Sequence, residues 1–219
     1  METKDKRLLF VGAGILALFV LWTVLISFVD TQAIGPRESS VGCATLNGYV
    51  HSLTGVNMSL YVITDWLGLV PIGVAFGFAI LGLVQWIRRK SLLKVDGSIL
   101  ALGGFYIVVI AVYTLFEIVV INYRPTLIDG YLEASYPSST TMLVMCVMPA
   151  AMVELRTRVK NFALKQCIMV LISTFTVFMV LGRILSGVHW ITDIIGGALF
   201  STAVVLMYYA ISKALSRNA

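Results

Sequence analysis

Charge is scarce in this sequence. Of its 219 residues only 12% are charged, about half the share of an ordinary soluble domain. That deficit excludes a conventional water-soluble fold. Histidine is scarcer still, with only His51 and His189 present. No Cys, Asp and Glu set stands near either at ligand spacing, so no metal centre is expected and no cofactor is implied. The three cysteines, Cys43, Cys146 and Cys167, are scattered and odd in number, which excludes a disulfide framework. A G-x-S-x-G elbow is absent, and with it the usual sequence mark of a Ser-His-Asp hydrolase. Internal repeats, low-complexity tracts and flexible linkers are also missing, so 1–219 reads as a single membrane domain.

What is abundant is apolar sequence, 59% of the chain, gathered into six blocks at about 8–29, 60–87, 98–121, 139–155, 162–182 and 190–211. A run of roughly 20 apolar residues crosses a bilayer as a helix. Lipid offers backbone groups no other partner, so each block must be helical. The expected fold is therefore an all-α membrane protein, a six-transmembrane-helix bundle. The first block follows Lys4, Lys6 and Arg7 as a signal peptide would, but it is too long for one and no A-x-A-like site follows. With a cytoplasmic N-terminus, 13 of the 16 Lys and Arg residues fall on the inside. By the positive-inside rule both termini are then cytoplasmic. The net charge of +5 answers to that rule and to anionic lipid headgroups. Membrane lipids are the expected surroundings, and nucleic acid is not an expected partner.

Only Arg37, Arg124 and Arg183 fall on the outer side. Beside Arg124 and Arg183 stands a run of hydroxyls, Ser138, Ser139, Thr140 and Thr141, in YPSSTT at the mouth of the fourth span. Ser138 after Pro137 suits a helix N-cap. The same hydroxyls, with free amides and the positive end of the helix dipole, also suit an oxyanion. Guanidinium groups match phosphate oxygens in a two-pronged fork. His189 and Asp193 are four apart, which places them on one helix face at the start of the sixth span. A carboxylate beside an imidazole fixes its tautomer and leaves the other nitrogen free to attack or take a proton. A structural His–Asp pair would look the same at this level.

Together RP, PSST and GRILSGVHWITD resemble the three-part signature of the type-2 phosphatidic acid phosphatases, which are integral-membrane lipid phosphatases. The pattern there is K-x-x-x-x-x-x-R-P, then P-S-G-H, then S-R-x-x-x-x-x-H-x-x-x-D. The resemblance covers about residues 98–211, the phosphatase-like core. It implies that Arg124, Arg183, Ser138 and the amides from Ser139 onward bind phosphate. It also implies that His189 is the nucleophile, forming a phosphohistidine, and that Asp193 orients it. Three positions depart from the pattern: Glu117 replaces the lysine, Gly182 the serine, and Thr140 the histidine that protonates the leaving group. Loss of a general acid typically costs ~10²–10⁴-fold in rate. Glu117, seven residues before Arg124, is expected either to pair with that arginine or to supply the missing proton. His51, Asp65 and Glu133 are further outer-face candidates.

The expected function is hydrolysis of a lipid phosphate or diphosphate at the extracytoplasmic face of a bacterial plasma membrane. Phosphatidic acid, phosphatidylglycerol phosphate and a polyprenyl diphosphate are the candidate substrates. A lipid phosphotransferase and a catalytically degenerate lipid-phosphate binder are the alternatives. Trp66, Trp190 and Tyr136 are read as interfacial anchors, and the 30–59 loop as packing over the site or lying in the interface.

Overall fold

The computed structural model describes residues 2–217. It is helical throughout, with three isolated β-bridges and no strand among the described residues. The helices are α1 (Thr3–Phe28), α2 (Ala44–Thr54), α3 (Met58–Leu67), α4 (Leu69–Arg89), α5 (Gly97–Ile118), α6 (Ser139–Arg158), α7 (Phe162–Ser186) and α8 (Ile191–Arg217). Six segments are long and apolar enough to cross a membrane, with α3 and α4 forming one of them across a break at Gly68. All six expected spans are thus present.

Helices α6 and α8 are the most enclosed and form the axis of the bundle. Their buried faces carry small residues, among them Ala150, Ala151, Ala203 and Ala210. Small side chains let membrane helices approach closely, and dispersion contacts then hold them, because lipid removes the hydrophobic drive between helices. Gly12 of α1 shows the same device: a Cβ there would lie 2.7 Å from Met207 Cγ and 3.0 Å from the Ala203 carbonyl of α8.

The chain alternates between two ends. One holds the termini and the 90–96 and 159–161 connections. The other holds the 29–57, 119–138 and 187–190 connections. At this second end Gly196 and Gly197 of α8 make room for the loop before α6. A Cβ on Gly196 would stand 2.5 Å from the Tyr136 ring, and one on Gly197 would stand 3.2 Å from the Ser138 carbonyl. Tyr136 is only 1% exposed, and its hydroxyl lies 2.7 Å from Thr23 Oγ1 of α1. It is therefore a core residue and not an interfacial anchor. Trp190 is buried too, with its indole N–H on the Tyr123 carbonyl at 2.8 Å. Of the three expected anchors only Trp66 is exposed.

The 30–59 loop packs over this end through α2. Asn47, fully buried, donates to the Gly42 carbonyl at 2.8 Å and to Thr192 Oγ1 at 3.0 Å. His51 meets Trp190 edge to face, ring centres 5.4 Å apart. Gly187 ends α7 at φ +63, a left-handed turn that costs glycine little. A Cβ there would collide with the Gly55 carbonyl, so the loop and α7 touch backbone to backbone.

Candidate active site

Helix α5 stops at Ile118, and residues 119–138 form a hairpin-like loop. Its tip is Asp129-Gly130, both at positive φ, with paired hydrogen bonds between Ile128 and Tyr131 of 3.1 and 2.8 Å. Asp-Gly is a strong signal for such a two-residue turn. Folding back places Arg124 against Glu133 (N–H to carbonyl, 3.1 Å) and Asn122 against Ser135 (2.9 Å). Asn122 is pinned on both sides. Its side-chain oxygen accepts from Gly42 N–H at 3.1 Å, and its amide reaches Asp193 Oδ1 at 3.4 Å.

His189 sits at the centre, 5% exposed. Its Nε2 is 3.2 Å from Arg124 Nη1 and its Nδ1 is 3.0 Å from Ser135 Oγ. Burial first, then the Arg124 and Arg183 cations, holds the imidazole well below its ordinary pKa, so it is neutral. The sequence reading of the His189–Asp193 pair needs correcting. Helix α8 begins at Ile191, so His189 lies before the helix and the i, i+4 face does not exist. The direct Nδ1–Oδ2 separation is 3.9 Å, too long for a hydrogen bond. Instead Ser135 stands between them and donates to Asp193 Oδ2 at 2.5 Å. The same Oδ2 accepts the Trp190 backbone N–H at 2.9 Å. Asp193 is the third residue of α8 reaching back to the residue that precedes it, one half of a capping box.

Arg183 is 1% exposed near the end of α7. It donates to Thr140 Oγ1, to Asp65 Oδ1 at 3.1 Å and to Thr64 Oγ1 at 3.3 Å. Arg124 pairs with Glu133, Nε to Oε2, at 3.0 Å. Both guanidinium groups lie over the ring of Tyr61, at 5.8 Å for Arg124 and 4.9 Å for Arg183. Tyr61, Thr64 and Asp65 fall at helical spacing i, i+3, i+4, so one face of α3 completes the site. Thr64 also explains a departure from the resembled pattern: a Cβ on Gly182 would lie 2.6 Å from Thr64 Cγ2. Glycine at 182 is what lets α3 approach α7.

Of the eight expected site residues, five converge on this cluster, Arg124, Arg183, His189, Asp193 and Thr140, while Ser139 lines the cavities beside it. Ser138 lies beside them but is turned away. It is fully buried, its amide is spent on the Asp193 carbonyl at 3.0 Å, and its hydroxyl accepts from Thr141 at 3.0 Å. Its structural role is to tie α6 to α8. The amides of the first turn of α6 have no partner in the helical ladder. Glu117 is the second correction. The helix ends one residue beyond it, its side chain is exposed, and no ion pair with Arg124 forms. Glu133 holds that arginine instead. Glu117 lines a small cavity with Ser135, Tyr136 and Ser139.

Ser135, Asn122, Tyr61 and Thr64 were not anticipated. The Asp129-Gly130 turn signalled the fold-back that delivers Asn122 and Ser135, but nothing in the sequence marks the α3 residues. Among the described residues no group of three or more His, Cys, Asp or Glu side chains is placed to hold a metal. From Thr140 and Asp65 an apolar groove of about 430 Å³ runs along Leu69, Ile72, Val109 and Ile110, between α4 and α5.

A family model described as the PAP2 superfamily matches residues 98–217. No curated protein sequence matches the chain. A crystal structure of a transmembrane PAP2-type phosphatidylglycerolphosphate phosphatase from Bacillus subtilis is similar in fold, with a TM-score of 0.54 and 18% sequence identity. The similarity covers 94% of this chain and 96% of that one.

Proposed function

Because the chain belongs to the PAP2 superfamily, we propose that it is a membrane lipid phosphatase working through a phosphohistidine on His189. The observation that carries this is a neutral, buried imidazole on Arg124, with Arg183 on the same Tyr61 ring and an apolar groove starting at its partners Thr140 and Asp65. A lipid phosphate places its charged head on Arg124, Arg183 and the free amides of α6, while its tail lies in the groove. Nε2 attacks phosphorus in line with the leaving oxygen, and the P–O bond breaks as the N–P bond forms. Water then hydrolyses the phosphohistidine. Two guanidinium groups and oriented amides stabilise the charge on the transferring group in a site largely closed to water. Donors of this type contribute roughly 10²–10³-fold each.

Thr140 accepts from Arg183, so its own hydroxyl proton is left for a phosphate oxygen. For the proton of the leaving group we assign Glu117. Asp65 and Glu133 face the arginines as ionised partners, whereas Glu117 lines the cavity beside Ser135 and Ser139 and has no ion pair among the described residues. A diphosphate, whose leaving group is less basic, asks less of that donor. The 13 basic residues gathered at the other end support cytoplasmic termini and an extracytoplasmic site. Phosphatidic acid, phosphatidylglycerol phosphate and polyprenyl diphosphates are the substrate classes.

The test is phosphate release from a panel of these lipids by detergent-purified protein. Wild type releases phosphate, His189→Ala does not, and Glu117→Gln is slow with monoesters but less so with diphosphates. One observation favours a binder over an enzyme, namely Thr140 where the pattern has histidine. Release by Thr140→His but not by wild type would establish that alternative. Label passing to a second lipid without free phosphate would establish a phosphotransferase.

A further inference from the structure

We propose that Ser135 is a positioning residue that couples Asp193 to His189 and sets the tautomer of the imidazole. The inference rests on the phosphohistidine reading above and deepens it. Asp193 does not reach His189 itself: the gap is 3.9 Å, and its Oδ2 is tied to the Trp190 amide. Ser135 fills the gap. It is 2% exposed, lies 3.0 Å from Nδ1 and 2.5 Å from Oδ2, and comes from a loop locked by Asn122.

Proton counting leaves one arrangement. Arginine has no acceptor, so Nε2 must accept from Arg124. A neutral imidazole then carries its proton on Nδ1 and donates it to Ser135 Oγ. Serine has a single hydroxyl proton, and that proton goes to Asp193. The two ends of the chain demand the same tautomer. In the phosphoryl step Arg124 moves its donor to the substrate, and the freed Nε2 lone pair forms the N–P bond. The leaving oxygen takes the electrons of the broken P–O bond and a proton from the general acid. Nδ1 keeps its proton, and the positive charge that develops on the ring is felt by Asp193 through Ser135.

The test compares Ser135→Ala, Ser135→Thr, Asp193→Asn and the double variant Ser135→Ala/Asp193→Asn, with dioleoyl phosphatidic acid and farnesyl diphosphate in detergent micelles. Removing the outer partner of a metal-binding histidine typically costs about 10–100-fold, and the same orienting role is at issue here. We expect Ser135→Ala to lose that much in kcat with KM little changed, and Ser135→Thr to recover most of it. The double variant should be no slower than the slower single one, because both break one chain. Histidine 15N shifts, assigned with His51→Gln, should show His189 protonated on Nδ1 in wild type. That spectrum needs no variant at position 135 to fold.

Wild-type kcat in Ser135→Ala, losses that multiply in the double variant, or an Nε2–H tautomer would each overturn the proposal. His189→Ala separates the two levels. If it stays active, the phosphohistidine reading itself fails. If it is inactive while Ser135→Ala is unimpaired, only the role of Ser135 fails.

Discussion

Each end of the bundle sets carboxylates against arginines, and the two are built to opposite ends. At the end holding the termini, Glu154 is 2% exposed and saturated. Oε2 takes Arg158 at 2.9 Å and Ser98 at 3.1 Å, and Oε1 takes Tyr208 at 2.7 Å. Arg158 is shared with Asp96 at 3.1 Å, and Asp96 also holds Arg89 at 2.9 Å. Both oxygens of Glu154 are thus taken. At the site end the arginines are the buried partners, while their carboxylates stand in the open: the side chains of Asp65 and Glu133 are 57% and 43% exposed. Water screens such a pair from its open side, and in the limit of full exposure it contributes about 0.2–1 kcal/mol, so these carboxylates are the ones an incoming phosphate is expected to displace. A buried arginine whose carboxylate is solvated is available for binding, and a buried carboxylate whose oxygens are all bonded is structure.

The largest expected contrast comes from removing one arginine at each end. Arg183→Ala should cut kcat/KM of the folded protein about 10²–10³-fold, a loss larger than its effect on thermal unfolding accounts for. Arg158→Ala should do the reverse. It leaves Glu154 short of a partner, a loss of about 1–3 kcal/mol or more, with turnover per folded molecule unchanged. Equal effects on activity and unfolding from both would erase the distinction between the ends.

A smaller effect is expected at the rim. If Asp65 and Glu133 only occupy the arginines between substrates, Asp65→Asn and Glu133→Gln should each tighten inhibition by inorganic phosphate. Pairs worth 0.2–1 kcal/mol translate to roughly 1.4–5-fold. Weaker phosphate binding in either variant would mean that the acids hold the arginines in place.

The smallest is a pH effect. His189 is kept neutral by burial and by Arg124 and Arg183. The acid limb of kcat/KM attributable to it should therefore lie below the ordinary imidazole value of about 6.5. Linkage gives the sign for stability. Below about 6.5 the unfolded chain takes up a proton that the native state refuses, so stability falls as pH drops. His189→Phe should flatten that slope in chemical unfolding measured between pH 5 and pH 7, and an unchanged slope would assign it to another group.

The spans were legible because hydropathy over some 20 residues needs no knowledge of neighbours, and each expected block overlaps an observed helix. Arg124, Arg183, His189 and Asp193 were legible through the spacing of a known pattern. Two local geometries were misread. A Glu117–Arg124 pair needed a helix running on to Arg124, and His189 and Asp193 were placed on one helix face, but α5 ends at Ile118 and α8 begins at Ile191. Helix ends at a membrane surface are set by which backbone groups find partners, and those partners are distant in the chain.

From its own composition and spacing, the sequence determined a six-span helical membrane protein and which residue types are candidates to meet phosphate, because hydropathy and local spacing are properties of neighbouring residues. Tertiary structure alone decided that Ser135 stands between His189 and Asp193, that Tyr61 lies under both arginines, and that Glu133 rather than Glu117 holds Arg124. Those contacts join segments that are far apart in the chain or lie on either side of a turn, and their geometry exists only once helices with close-packing glycines have fixed the loops between them.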